Sequence, residues 1–236
     1  MRSKNACLVC GRPLKYFTSP KQMECCFCHK KFLSYACCEE GHFVCDECHS
    51  EKGIEAIISF CQNTDSSDPI KIVQTIMKDP YIYMHGPEHH TMVGAALLTA
   101  YRNAGGDIDL PSALAEMHER GRQYPGGSCG FWGCCGAAVS TGMFMSIITD
   151  TTPLSTGTWG YSNEITSRAL AEIATYGGPR CCKRNSFTAI LAAAEYTAEK
   201  TGVEMEIPDN VICTFSSENH ECLGKKCPYH KSSNMI

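Results

Sequence analysis

From residue 54 to about residue 200, apolar positions recur at helical spacing. Residues 54–60 and 70–77 read as two amphipathic helices. Between them Asp65-Ser66-Ser67-Asp68-Pro69 offers a cap and a proline for the first turn, and Asp79-Pro80 stops the second helix. Pro87 suits the first position of a third helix, which puts His89 and His90 in its opening turn and His85 just before it. Residues 114–122 read as a short polar helix. After Cys135, Val139, Met143 and Ile147 recur every fourth residue, with Phe144 and Ile148 beside them, so this helix is apolar on most sides and belongs at the centre of the core. A Thr/Gly/Pro loop over residues 151–162 leads to a helix capped by Asn163, on which Ile165, Ala169 and Ile173 share a face. Gly177-Gly178-Pro179 ends it. An alanine-rich helix over residues 186–200 follows, closed by Gly202, and the stretch beyond shows no period.

The pattern predicts a mainly α protein. A helical core domain over residues 51–206 follows an N-terminal zinc-binding module, ribbon- or RING-like, over residues 1–50. An irregular Cys-rich C-terminal tail, residues 207–236, folds back on the core. A chain of 236 residues can bury a real core, and 43% hydrophobic with 19% charged residues suits a globular protein. A net charge of −4 gives no support to generic nucleic-acid binding, although a short RNA contact stays open. The uncharged stretch 123–149 is broken by Pro, Gly, Ser and Thr. Its apolar part falls short of the about 20 residues a membrane span needs, so no membrane association is expected.

Eighteen cysteines change the picture. A secreted disulfide scaffold is usually short and follows a secretory signal, and residues 1–10 hold no apolar run. Doublets at 25–26, 37–38, 134–135 and 181–182, together with C-x2-C pairs, point to metal ligation in a reducing cytoplasm. Such thiol-rich chains suit anaerobic cells, because exposed thiolates and clusters oxidise.

Three Cys/His groups make up the module. They are Cys7-x2-Cys10, Cys25-x2-Cys28, and Cys38-x3-His42-x2-Cys45-x2-Cys48. Two residues between cysteines let both sulfurs reach one ion, and the last spacing resembles the inner half of a RING-type cross-brace. Eight ligands satisfy two tetrahedral zinc ions, with Cys26 and Cys37 left spare. Pairing can be sequential or crossed. A rubredoxin-like iron site in the first two pairs is the minor alternative. The expected role is structural, or docking to a protein partner.

The second concentration of chemistry lies further on. Pro125 to Ser140 holds Cys129, Cys134 and Cys135 among five glycines, just before the apolar helix, where a helix N-terminus favours thiolates. Arg180-Cys181-Cys182-Lys183-Arg184-Asn185 likewise precedes a helix. Its cations could neutralise an anionic cluster or hold a substrate carboxylate. His85, Glu88, His89 and His90 fit anion binding or proton transfer. Cys213, Cys222 and Cys227-Pro228 resemble cluster-binding loops, with a separate metal involving His220 or His230 as the other option.

The N-terminal cysteine pattern, MHGPEHH, GFWGCCGAA, GGPRCCKR and CLGKKCP together resemble an uncharacterised cysteine-rich family of anaerobic archaea and bacteria, which implies no established activity. A more distant similarity is to the iron–sulfur-dependent L-serine dehydratases and cysteine desulfidases. Gly86-Pro87-Glu88-His89-His90-Thr91 is similar to their GPSSSHT stretch, Gly133-Cys134-Cys135-Gly136-Ala137 to their GCxA, and Cys181-x2-Arg184-Asn185 to their C-x2-R-N, in the same order. Leu170 stands where those enzymes have a third cysteine. The resemblance implies a [4Fe-4S] cluster with three cysteine ligands and one open iron. Its expected ligands are Cys134, Cys181 and one of Cys129, Cys222 or Cys227, with Cys182 a further option for the third. Glu88, His89 or His90 would act as acid or base, and Arg180 or Arg184 would bind a carboxylate. The expected activity is β-elimination, desulfuration or sulfur transfer on a small polar substrate. The alternative is a non-enzymatic zinc/iron–sulfur adaptor or redox carrier.

Overall fold

A computed structural model describes residues 7–233. Two strands come first, β1 (Leu14–Glu24) and β2 (Lys31–Cys38), paired antiparallel with Leu14 opposite Cys38 and Glu24 opposite Lys31. The ladder is irregular between Tyr16 and Lys21. Most of β1 is exposed, and Leu33 in β2 is 75% exposed, so this sheet has almost no apolar core of its own. A piece this small needs another source of stability. Tight turns stand at its ends: Gly11 N–H donates to Cys7 O at 2.8 Å, and His29 N–H to Cys25 O at 2.9 Å. They place the cysteines of each C-x2-C pair on one side of a loop.

The helical body contains α1 (Asp46–Asn63), α2 (Pro69–Ile76), α3 (Glu88–Asn103), α4 (Leu110–Arg122), α5 (Ser128–Phe131), α6 (Gly136–Ile148), α7 (Trp159–Thr175) and α8 (Cys182–Thr201). Asp68 caps α2 by accepting from Lys71 N–H at 2.9 Å, with Pro69 next. α3 is buried nearly all round, from Glu88 to Tyr101, and packs on α6, α4, α1 and α2. α6 packs most heavily on α7 and α3, which makes it the core helix that its apolar run predicts.

Several boundaries differ from the sequence pattern. α1 begins at Asp46, not at residue 54, because Cys45 is its N-cap and Cys48 lies in its first turn; the helix grows out of the ligand loop. The boundary expected at residue 50 therefore falls inside α1. Pro87 is the N-cap of α3, not its first residue. α7 starts at Trp159, and Asn163 sits one turn inside, donating to Trp159 O at 3.1 Å. α8 begins at Cys182, with Cys181 as its N-cap, so the basic cysteine loop is itself the first turn.

Beyond Gly202 the chain runs back over the body. Glu206 N–H donates to Ser67 O at 3.0 Å, and Gln74 Nε2 donates to Ile212 O at 3.1 Å. Two short 3-10 turns, Ser216–Glu218 and Gly224–Lys226, interrupt it. Met205, Val211, Phe215, Cys227 and Tyr229 are buried with the main core. Among the described residues no helix is long and apolar enough to cross a membrane.

Candidate metal centres and pocket

Cys7, Cys10, Cys38 and His42 form one group of potential ligands, and Cys25, Cys28, Cys45 and Cys48 another. Within each group the donor atoms all lie within 4.8 Å of one another. First and third pairs share one group, second and fourth the other, so the pairing is crossed. Cys10 Sγ to Cys38 Sγ is 3.7 Å and Cys28 Sγ to Cys45 Sγ is 3.8 Å. A tetrahedron with metal–sulfur bonds of about 2.3 Å has an edge of about 3.8 Å. Each group could hold one metal ion. Burial alone would raise Cys25, but amide N–H groups of Cys28, Cys45 and Phe27 bring it down to about 6. Cys38 falls to about 7 for the same reason, with the His42 amide as its main donor. Cys45, buried beside other thiols, is pushed up to about 11. Thiols crowded this way ionise together only around a cation.

A second set of four cysteines lines a small, enclosed cavity between α8 and the tail: Cys181, Cys213, Cys222 and Cys227. Amide N–H groups point at their sulfurs, Arg184 at Cys181, Phe215 at Cys213 and Gly224 at Cys222, each at 3.4 Å. Asn219 Nδ2 also donates to Cys181 Sγ at 3.4 Å. Lys183 and Arg184, both buried, line the same cavity.

A cavity of about 230 Å³ lies between the N-terminal module and the helical body. Three helix N-termini open onto it: Pro87 of α3, Cys135 and Gly136 of α6, and Cys182 of α8. Their combined dipoles favour negative charge there. Cys129, Cys135 and Cys182 line it, from three separate segments. Burial pushes Cys182 up to about 12, and the neighbouring Cys135 adds to the rise while Arg180 opposes it. Burial and then Cys135 also raise Cys129. The roof comes from the module, including Tyr16, Tyr35, Cys37 and Phe43. Asp46 ties roof to floor by accepting from Gly126 N–H at 2.7 Å.

Histidines complete the wall. His89 Nδ1 lies 3.1 Å from Gly86 O, a carbonyl that can only accept, so the proton is on Nδ1 and Nε2 carries a lone pair. That Nε2 is buried and has no hydrogen-bond partner. His90 is arranged alike, with Nδ1 3.0 Å from Tyr124 O. Gly136 makes room for it, because a Cβ there would run into the His90 ring. Burial, and then Arg180, lower His85 to about 3, so it is neutral. Cys182 N–H faces its Nδ1 at 3.5 Å, and its Nε2 lies 3.0 Å from Glu221 Oε2.

Not every residue singled out in the sequence faces this pocket. Within both central doublets the second cysteine lines it, Cys135 and Cys182, whereas Cys134 does not and Cys181 faces the enclosed cavity. Cys222 and Cys227 join Cys181 there, away from Cys129. Glu88 is fully buried behind the wall, where Oε1 accepts from Tyr83 N–H at 3.1 Å and lies 3.4 Å from His89 Nδ1. It positions histidine rather than touching a guest. Arg184 is likewise committed, donating to Gly177 O at 2.9 Å and Pro179 O at 3.1 Å. Arg180 does line the pocket, with its guanidinium 5.5 Å from the Tyr16 ring centre. The pattern missed His49, a pocket residue whose Nδ1 is 3.6 Å from Glu88 Oε2. Its position just after the potential ligand Cys48 is the one signal that could have drawn attention to it. Asn185, which donates to Cys135 Sγ at 3.3 Å, was visible only as part of the C-x2-R-N stretch.

The chain belongs to a family of unknown function, DUF5714, whose model matches residues 57–230. No curated protein and no solved structure matches it.

Proposed function

We propose that this DUF5714 member is an enzyme in which Cys129, Cys135 and Cys182 hold an iron–sulfur cluster with one open iron, and that it acts on a small substrate bearing a carboxylate. The observation that carries this reading is one cavity lined by three thiols, an unpartnered histidine lone pair and a guanidinium. The donor set fits the group: soft thiolates suit zinc or iron–sulfur centres. Outside the two N-terminal groups, no three potential ligands among the described residues lie within 4.8 Å of one another, a spacing too wide for a single ion. The corner thiolates of a cubane stand farther apart. Zinc is the proposed occupant of the two N-terminal tetrads, which would brace the roof and offer a docking face to a protein partner.

When bound, a cluster with an open iron supplies Lewis-acid polarisation of a hydroxyl or thiol leaving group. The remaining work falls to side chains. Arg180, backed by Tyr16, pairs with the substrate carboxylate. The three helix N-termini add to that attraction. His89 Nε2 accepts the proton from the carbon beside the carboxylate, and Glu88 keeps the ring oriented by accepting at Nδ1. His90 offers a second lone pair on the same wall. The product of such a β-elimination is an unsaturated acid plus water or hydrogen sulfide. The shared order of the HGPEHHT, GCCGA and C-x2-R-N stretches with serine dehydratases and cysteine desulfidases supports this class, and the free thiols suit a reducing cytoplasm.

The test is metal and sulfide analysis of anaerobically purified protein, with pyruvate release from L-serine and L-cysteine as the assay. Zinc near two per chain, iron of about four or more and broad visible absorption are expected. Cys135→Ser should lower iron and abolish turnover. Zinc alone, without visible absorption, overturns the proposal.

A further inference from the structure

The enclosed cavity under the tail has no part in the pocket chemistry, yet four cysteines converge on it from α8 and three points of the last stretch of chain. We propose that Cys181, Cys213, Cys222 and Cys227 hold a second [4Fe-4S] cluster, ligated by protein thiolate at every corner and separate from the pocket. This does not depend on the pocket itself holding iron.

The tail has little regular structure and a polar sequence, so it pays for its order through few contacts of its own. It is nonetheless held against α8, with Cys213 N–H donating to Tyr229 O at 2.7 Å and Tyr229 Oη 2.9 Å from Thr188 Oγ1. Cys181 and Cys227 are buried, and Cys213 and Cys222 half-buried. The sulfurs collect N–H donors from Arg184, Phe215, Gly224 and Asn219, a surrounding that suits anionic sulfur better than thiol. Four thiolates cannot share a buried cavity without positive charge among them. Lys183 and Arg184 supply some at the rim, and a metal core would supply the rest.

A single zinc ion is a poor fit, because no three of these donors come within 4.8 Å of one another. The cavity wall is otherwise apolar, with Met84, Phe215, Leu223 and Tyr229. With four thiolates and no vacant corner, such a cluster carries electrons or pins the fold and is no Lewis acid. The Cys181–Cys182 doublet then serves two centres, one thiol facing each.

The experiment uses the full chain, purified without oxygen, as wild type, as Cys213→Ser/Cys222→Ser and as Cys129→Ser/Cys135→Ser. Iron and sulfide are counted, zinc serves as an internal count of folded module, and electron paramagnetic resonance follows dithionite reduction. The expected result is about eight iron atoms in wild type and about half in each double variant, with zinc unchanged at about two. If the tail variant is insoluble, spin integration decides. In that case the count is read on reduced Cys129→Ser/Cys135→Ser: about one spin per chain supports the tail cluster, and none overturns it. Iron unchanged in the tail variant, or a third zinc in wild type, also overturns it. Iron lost only from the tail variant and unchanged in Cys129→Ser/Cys135→Ser supports this centre and defeats the pocket reading instead.

Discussion

Glu88 shows how a single residue can be decisive without touching a guest. Burial pushes its carboxyl up, but the His49 and His89 rings beside it, at 3.6 and 3.4 Å, outweigh this and hold it well below the usual carboxylate range. Its unfolded value is about 4.3. A carboxylate depressed in the folded state contributes stability above that pH, and the contribution is lost as pH falls through the folded value. Glu88→Gln should therefore cost about 2 kcal/mol at pH 7, and its gap from wild type should narrow below about pH 4. Urea midpoints at the two pH values measure this, and an equal gap at both would mean that charge is not the cause. His85, His89 and His90 were legible as a group at a helix start, whereas His49, from another element, was not. Which member of each cysteine doublet faces the pocket was not. Adjacent side chains at an extended cap point apart, and the choice depends on backbone angles such as φ −72°, ψ 125° at Cys135.

At the scale of elements, close helix crossings decide what can change. α6 and α7 approach at Gly142, where a Cβ would come within 2.9 Å of Ser162 O and also meet Thr166 Oγ1. Gly142→Ala should destabilise by about 1–3 kcal/mol even though alanine is the better helix former by about 1 kcal/mol. Gly160, in the first turn of α7, has nothing within 4 Å of its would-be Cβ, so Gly160→Ala should stabilise by about 0.4–1 kcal/mol. Chemical denaturation of the two variants reads both signs, and like signs would defeat the argument. The helices themselves were legible because their apolar stripes face one core. β1 was not: Lys15, Ser19, Pro20, Lys21 and Gln22 lie on a strand exposed on both faces, so burial imposes no alternation on it. The starts of α1 and α8 were hidden for a related reason, since the cysteine and charged residues of their first turns carry no continuous apolar stripe.

For the whole molecule, the crossed tetrads and the pocket are mechanically linked, because Cys7 and His42 line the cavity as well as sharing a tetrad. Metal removal from the tetrads should unfold the roof and leave the helical body largely intact, since the main core draws on residues from α1 onward. Far-UV circular dichroism should keep most of its helical signal after chelation, while any visible band bleaches several-fold faster in air. A band equally stable with and without those ions would count against the roof.

The roof also lies apart in the chain. The stretch shared with the family runs from residue 57 to 230 and carries both sets of central thiols, His85, His89 and His90. Tyr16, Tyr35, Cys37 and Phe43 stand before it. If the pocket works as proposed, reactivity and admission are written on different segments, and grafting another ceiling onto the same hearth would change which molecules enter without rewriting what happens to them inside.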